Sequence, residues 1–295
     1  MTAEAYLTRR DAVVSATHGN RNVHSTGDGR TTFFSDLSLE EVTVRLHDCR
    51  AIEAHHMDRI YDTFNRYGFL VLEHALNSHR RQQFLSLTRL FGDPVIHNRS
   101  ASDGIVTVAV ANNNDGYLSA SHEAHALHTD GTFQAVPPVV MGLQCERPAL
   151  KGGLTALLSG KALFNWLRKI DPTALAALFE PDVLTVERDN QRHTRPVLHR
   201  IDNVIHMSFR DDSTVSFSSQ IGVQRAIHLI RQYFLQAHNL KVFKLLSNQI
   251  LLVDNSAILH GRTSFGKEEK RRLHRLNFDG SGLFSRRLVF GFTEF

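Results

Sequence analysis

With two cysteines in 295 residues, the chain cannot build a disulfide framework or a zinc knuckle, because Cys49 and Cys145 lie far apart and form no CxxC pair. Both read as free thiols of a reducing compartment. Long hydrophobic runs are also missing. No window approaches the roughly 18 apolar residues of a membrane-spanning helix, and the opening MTAEAYLTRRDAVV lacks the apolar core of a secretory signal. A cytoplasmic protein with no membrane partner is expected. Nor is there a large excess of one charge: 34 basic side chains face 30 acidic ones, and the basic residues form no dense stripe. The net +4 therefore does not call for nucleic acid, whose recognition, as in a nucleic-acid demethylase, needs a clustered cationic groove with aromatic stacking residues. Small anionic ligands account for the excess.

What remains is an ordinary globular composition, 42% hydrophobic and 22% charged, sufficient for a sizeable core. Residues 1–30 are polar, contain Thr26-Gly27-Asp28-Gly29 and hold no lasting period, so they read as a flexible N-terminal arm. Residues 31–295 read as a single domain with helical insertions. Met57, Ile60, Tyr61 and Phe64 recur at helical spacing over 53–67, and Gly68 supplies the stop. A strand follows over 69–72. Ser78 then caps a second helix carrying Phe84, Leu85, Leu87, Leu90 and Phe91, ended by Gly92-Asp93-Pro94. Beyond this point short β-like runs dominate, over 105–111, 139–144, 154–158, 183–186, 204–209, 250–253 and 273–278, interrupted by helices over 161–169 and 221–238. The fold class is mainly β with flanking helices, a sandwich or barrel.

Histidine is abundant, 18 in all, and it is the side chain that most often ligates metals. In His128-Thr129-Asp130 the two outer side chains of an extended segment point to the same side, so one imidazole and one carboxylate can meet one ion. His260, at the end of the run from Val253, is the candidate for the second imidazole. Two histidines and a carboxylate on one face of an ion suit Fe(II), because the opposite positions stay open for a chelating oxoacid and O₂. The alternative of a zinc hydrolase fails on spacing: His122-Glu123-Ala124-His125 has one residue too few between its histidines for the helical His-Glu-x-x-His pattern. The cluster Arg271-Arg272-Leu273-His274-Arg275 could return beside the metal, and a guanidinium holds a planar carboxylate through two charge-assisted hydrogen bonds.

These motifs together resemble the taurine dioxygenase-like family of Fe(II)/2-oxoglutarate oxygenases. Tyr67-Gly68-Phe69-Leu70-Val71-Leu72 leading to Leu90-Phe91-Gly92-Asp93-Pro94 is similar to that family's opening segment, His128-x-Asp130 to its first ligand pair, and His260-Gly261-Arg262 to its distal ligand. Gly152-Gly153-Leu154-Thr155 resembles the family's Gly-Gly-x-Thr, whose hydroxyl contacts 2-oxoglutarate, and Arg275 matches the arginine anchoring the same carboxylate. Arg271 is a second candidate for it. The resemblance covers roughly residues 55–285 and implies a double-stranded β-helix, a distorted jelly roll with the metal at its mouth. It implies Fe(II) as cofactor, 2-oxoglutarate and O₂ as cosubstrates, and succinate and CO₂ as by-products. Thr155 and Arg275 should then converge.

Hydroxylation of an unactivated C–H bond is the default outcome the resemblance implies, with desaturation or ring closure as alternatives; a non-catalytic jelly-roll binding module is disfavoured by the intact residue set. Halogenases of related type carry a small residue where Asp130 stands. The Asn112-Asn113-Asn114-Asp115 stretch through His125 is a candidate closing loop, with Asn114 and His125 as candidate substrate contacts. Arg210-Asp211-Asp212 could hold an amino acid by both ends through Arg210 and Asp212, so an amino-acid-like small molecule is the expected partner. Composition does not separate a monomer from a homodimer. His128→Ala is expected to abolish iron-dependent turnover, read as 2-oxoglutarate-dependent succinate release.

Overall fold

The computed structural model describes residues 29–75, 79–110, 120–188 and 190–294. Strand β1 (Thr43–Leu46) precedes helix α1 (Ala54–Tyr67), which buries Ile60, Tyr61 and Phe64 along one face. The helix ends where expected, because Gly68 takes a left-handed φ of 76° and its N–H returns to the Phe64 carbonyl at 2.7 Å. A side chain there would also collide with the Arg30 guanidinium. Strand β2 (Phe69–His74) follows. The second expected helix is instead two short ones, α2 (Arg80–Leu85) and α3 (Thr88–Phe91); the Ser78 cap lies outside the described residues.

Next come β3 (Val106–Ala109), β4 (His125–His128), β5 (Val140–Arg147) and β6 (Thr155–Ser159). Ser159 caps α4 (Gly160–Ile170) by accepting from the Ala162 N–H at 3.2 Å, and Asp171 caps α5 (Pro172–Ala177) by accepting from Ala174 at 2.9 Å. Strands β7 (Leu184–Arg188), β8 (Gln191–Arg195), β9 (Leu198–Ile201), β10 (Val204–Met207) and β11 (Val215–Phe217) lead to α6 (Ile221–Phe234). The chain closes with β12 (Lys241–Phe243), β13 (Gln249–Asp254), β14 (Ile258–Arg262) and β15 (Arg272–Phe278).

Two sheets form the core: a six-stranded one in the order β1-β2-β13-β5-β15-β3 and a four-stranded one in the order β12-β6-β14-β4. Apart from the parallel pair β1/β2, their ladders are antiparallel. Alternation along β13 shows the layering. Leu251 and Val253 join the cluster that includes Leu157 and Leu259 of the smaller sheet, whereas Ile250 and Leu252 pack with Phe64, Phe84 and Phe91 of the helices on the other side. This is the mainly β jelly-roll core with flanking helices expected from the sequence.

The turn from β13 to β14 carries the chain from the large sheet to the small one. Asp254 at that turn accepts from the Ser256 N–H at 2.9 Å and hydroxyl at 2.8 Å, from the Gly291 N–H at 2.8 Å and from Arg30 at 2.6 Å. Arg30 and Asp254 are 1% and 0% exposed at their side chains, and Arg30 also donates to the carbonyls of Phe64, Val289 and Gly291. Arg30 therefore belongs to the packed structure rather than to an arm, and the rest of the expected arm, residues 1–28, lies outside the described residues. Removing one partner of a buried ion pair costs about 3–5 kcal/mol, so Asp254→Ala is expected to lower unfolding free energy by that order in denaturant titration, with Arg30→Ala giving a similar loss.

Candidate metal centre and active site

Antiparallel pairing sets His260 of β14 directly opposite His128 at the end of β4, and the rings lie 4.4 Å apart at their centroids. Asp130 follows two residues later, its Oδ1 3.4 Å from His128 Nε2 and 3.8 Å from His260 Nε2. The three donor atoms lie within 4.8 Å of one another, so a single ion can touch all three. Each residue is at least nine-tenths buried: 4% exposed for His128 and Asp130, 9% for His260.

Local hydrogen bonds aim these atoms. His128 Nδ1 lies 2.8 Å from the Ala126 carbonyl; donating there, it leaves the Nε2 lone pair for an ion. Thr129 is tied to Phe209 through its own N–H, at 2.8 Å from the Phe209 carbonyl. Asn255, beside the Asp254 turn, accepts from the Asp130 N–H at 2.7 Å and donates to the carbonyls of Asp130 and Pro138 at 3.0 and 2.8 Å. Inward-facing Arg275 and Asn277 on β15 both reach the Asp130 carboxylate: Asn277 donates to Oδ2 at 2.9 Å and Arg275 lies 3.2 Å from the same oxygen. Oδ1, which also accepts from Arg275 Nη1 at 3.4 Å, faces the two imidazoles.

Electrostatics match this arrangement. Burial opposes the charge on Asp130, but the Arg275 guanidinium overcomes it and holds the carboxyl well below its usual range. Burial, then the nearby His260, pushes His128 down to about 4, so its imidazole is neutral and able to bind metal at neutral pH. Two nitrogen donors, one carboxylate oxygen and no protein donor from the opposite side among the described residues fit a non-haem Fe(II) centre.

Of the residues expected to bind 2-oxoglutarate, Arg275 is engaged with Asp130, its guanidinium 3.2 Å from Oδ2. It and Thr155 stand on different sheets. Arg275 belongs to the large sheet, whereas Thr155 pairs in register with Arg262 on β14 of the small one. Arg271, ahead of β15, reaches the Thr155 side instead. Its guanidinium lies 5.5 Å from the Phe265 ring, which Arg262 also covers at 4.9 Å. Its side chain packs against Gly153, where a Cβ would come within 3.1 Å of Arg271 Cδ, and φ of +61° further favours glycine. The Gly152-Gly153-Leu154 segment is held there by Gly153 N–H to the Ser264 carbonyl and Thr263 N–H to the Leu154 carbonyl, both 2.9 Å. Arg271 is 6% exposed, has no carboxylate partner among the described residues, and is pushed down to about 10 by burial.

A cavity opens before the triad, lined by residues that include His128, Asp130, Arg275, His125, Arg210 and Arg188. His125 stacks on His128 at 4.0 Å and its buried Nε2 has no hydrogen-bond partner among the described residues. Arg210 lies in the lining and Asp212 does not: Asp212 accepts from Arg210 Nε at 2.6 Å and from the Thr214 N–H and hydroxyl at 2.9 and 2.5 Å. Asn114 lies outside the described residues. Sequence reasoning missed Asn255, Asn277 and Arg188. For Asn277 the signal was available, since it stands two residues from Arg275 on the same strand face; the others come together only in the folded chain.

A double-stranded β core with a two-histidine, one-carboxylate centre defines the class of non-haem iron oxygenases. The profile of the Taurine catabolism dioxygenase TauD, TfdA family matches residues 31–277, and the chain belongs to that family. It is an Fe(II)- and 2-oxoglutarate-dependent dioxygenase. It is 22% identical over 254 residues to a uridine-5'-phosphate dioxygenase from Streptomyces sp., covering 79% of this chain and 92% of that one. Among solved structures it is similar to an asparagine oxygenase bound to Fe(II), 2S,3S-3-hydroxyasparagine and succinate (TM-score 0.61, 14% identity, 80% and 93% of the two chains). It is also similar to the non-heme iron oxygenase OrfP with Fe, succinate and (3S)-hydroxy-L-Arg (TM-score 0.61, 16% identity, 77% and 81%).

Removing a group that orients a metal ligand typically costs 10–100-fold in metal affinity. Asn277→Ala, which frees Asp130 Oδ2, is expected to weaken Fe(II) binding by about tenfold or more in an anaerobic metal titration. Unchanged affinity would mean that Arg275 alone suffices.

Proposed function

We propose that His128, Asp130 and His260 hold Fe(II), that Thr155 and Arg271 hold 2-oxoglutarate, and that the enzyme hydroxylates a C–H bond of a small polar substrate seated in the cavity before the triad. The convergence of the three buried donors carries this reading. The bound iron with 2-oxoglutarate and O₂ supplies the oxidising equivalent, and the protein's own residues do the positioning.

Arg271 supports the far carboxylate of the cosubstrate because it is a buried cation with no acidic partner, and a planar dianion end would supply one. The span is also suitable: His260 and Arg262 are two residues apart on β14 and share a face, so the Thr155 end lies about 7 Å along the strand from the metal. Arg275, paired with Asp130, then belongs to the metal's support and to the cavity wall.

Hydroxylation is supported by the hydroxylated amino acids named in the asparagine oxygenase and OrfP complexes, which also support an amino-acid-like substrate. The uridine-5'-phosphate relative supports a second reading, a phosphorylated one. The place of Asp212 bears on the choice, because it is paired with Arg210 and does not line the cavity, where an ammonium group would need a carboxylate.

The test is an anaerobic titration of 2-oxoglutarate into the Fe(II)-loaded protein, following the visible charge-transfer band of the chelated oxoacid. The parent is expected to develop the band and His128→Ala to lack it. Arg271→Ala should shift the titration to at least about tenfold higher 2-oxoglutarate, while Arg275→Ala shifts it less. Equal weakening by the two substitutions would return the anchoring role to Arg275, and a parent that binds iron without the band would sink the dioxygenase site as drawn.

A further inference from the structure

Protein interiors leave few polar groups without a hydrogen bond, and where the exceptions gather they mark a place that another molecule completes. Three such atoms belong to the wall of the cavity before the triad. His125 Nε2, Gln134 Oε1 and Asn277 Oδ1 are buried and have no hydrogen-bond partner among the described residues, and all three residues line that cavity. They come from three separate stretches of chain: β4, the loop after Asp130, and β15. Shut off from water and unpaired, each atom is a cost to the free enzyme.

The atoms themselves determine what would complete them. Asn277 Nδ2 donates to Asp130 Oδ2 at 2.9 Å, and an ionised carboxylate can only accept, so the amide is fixed with its oxygen turned from Asp130. Oδ1 can be satisfied only by a donor. Gln134 brings a second amide oxygen, close over Gly131, where a Cβ would come within 2.7 Å of it. The Gln134 backbone is held in place, its N–H donating to the Gly131 carbonyl at 2.9 Å and its carbonyl accepting from Arg195. His125 Nε2, on the ring stacked against His128, donates or accepts according to tautomer. An ammonium group would need a counter-charge as well as an acceptor. Among the described residues the one carboxylate in the lining is Asp130, which Arg275 and Asn277 hold at the metal site.

We propose that Asn277, Gln134 and His125 are specificity-determining residues that recognise a neutral hydrogen-bond donor, an amide N–H or a hydroxyl, carried by the substrate beside the carbon that is oxidised. This rests on the reading of the triad as the oxidising centre. Asn277 joins the two functions: its nitrogen steadies Asp130, and its oxygen reads the substrate one side chain away from the metal ligand. A substrate that brings the donor pairs atoms that are otherwise unpaired. One that brings a methyl group to the same place leaves them unpaired and is discriminated against, because a buried polar group without its partner is more costly than a lost apolar contact.

The test is anaerobic calorimetry on the Fe(II)- and 2-oxoglutarate-loaded enzyme, with malonamide and hydantoin as amide probes, glycerol and erythritol as hydroxyl probes, and 1,3-diaminopropane as a charged control. At least one neutral arm is expected to bind saturably, which tells amide from hydroxyl, and the diamine is expected not to bind. Gln134→Leu, and His125→Phe, which keeps a ring against His128, should each weaken that binding by about tenfold or more, with the 2-oxoglutarate charge-transfer band retained. A second readout needs no probe: each substitution removes an unpaired buried atom, so neither should lower the thermal unfolding midpoint of the free enzyme. Absence of binding by both neutral arms, preference for the diamine, or binding that ignores both substitutions overturns the proposal. So does a lowered midpoint in both variants, since the atoms would then already be paired. Loss of the charge-transfer band in the parent would instead overturn the oxidising centre, so the two failures are distinguishable.

Discussion

The pairing of β4 with β14 is the constraint on which the rest depends. In an antiparallel ladder a shift of one residue would turn a side chain to the opposite face of the sheet, so the His128–His260 register is what makes two imidazoles face one point. The register is held from both sides: β6 pairs with β14 from Ile258 to Arg262, and the Asp254–Ser256 turn fixes where β14 begins. Asp254 ties that turn to Arg30 and Gly291, while its neighbour Asn255 clamps the backbone of Asp130. One turn thus joins the two sheets, anchors both ends of the described chain and positions the carboxylate.

The two sheets divide the chemistry between them. The small sheet brings the histidines and Thr155, with Arg262 and Arg271 gathered around Phe265, whereas the large sheet brings Arg275 and Asn277 onto Asp130. A cosubstrate lying along β14 and a substrate in the cavity before the triad would then approach the metal from different directions. The separation follows from strand alternation, because His260 and Arg262 share one face of β14 as Arg275 and Asn277 share one face of β15.

Charge placement follows the same division. Buried cations without acidic partners are costly, and Arg271, with no carboxylate partner among the described residues, lies near the expected cosubstrate, whereas Arg210 in the cavity lining is paired with Asp212.

Much of the site was legible in the sequence. His128-x-Asp130 needs only the two-residue period of an extended segment, Gly152-Gly153-Leu154-Thr155 stood out by its family resemblance, and Gly68 was legible as a helix stop, borne out by its φ of 76°. Apolar runs located most of the core strands, while β1, the second half of the β7/β8 hairpin and β14 were less visible because their residues alternate or mix polar and apolar types. What the tertiary structure alone decided is which distant groups meet. Arg271 and Arg275 are four residues apart and chemically identical, yet the fold sets Arg275 on Asp130 and Arg271 beside Gly153 and Phe265. Asn255 acquires meaning in the same way, since its hydrogen-bond partner Asp130, 125 residues away, leaves no local pattern. Local chemistry was written in the sequence; the convergence of separate strands on one ion depended on sheet register and packing, which are properties of the whole chain.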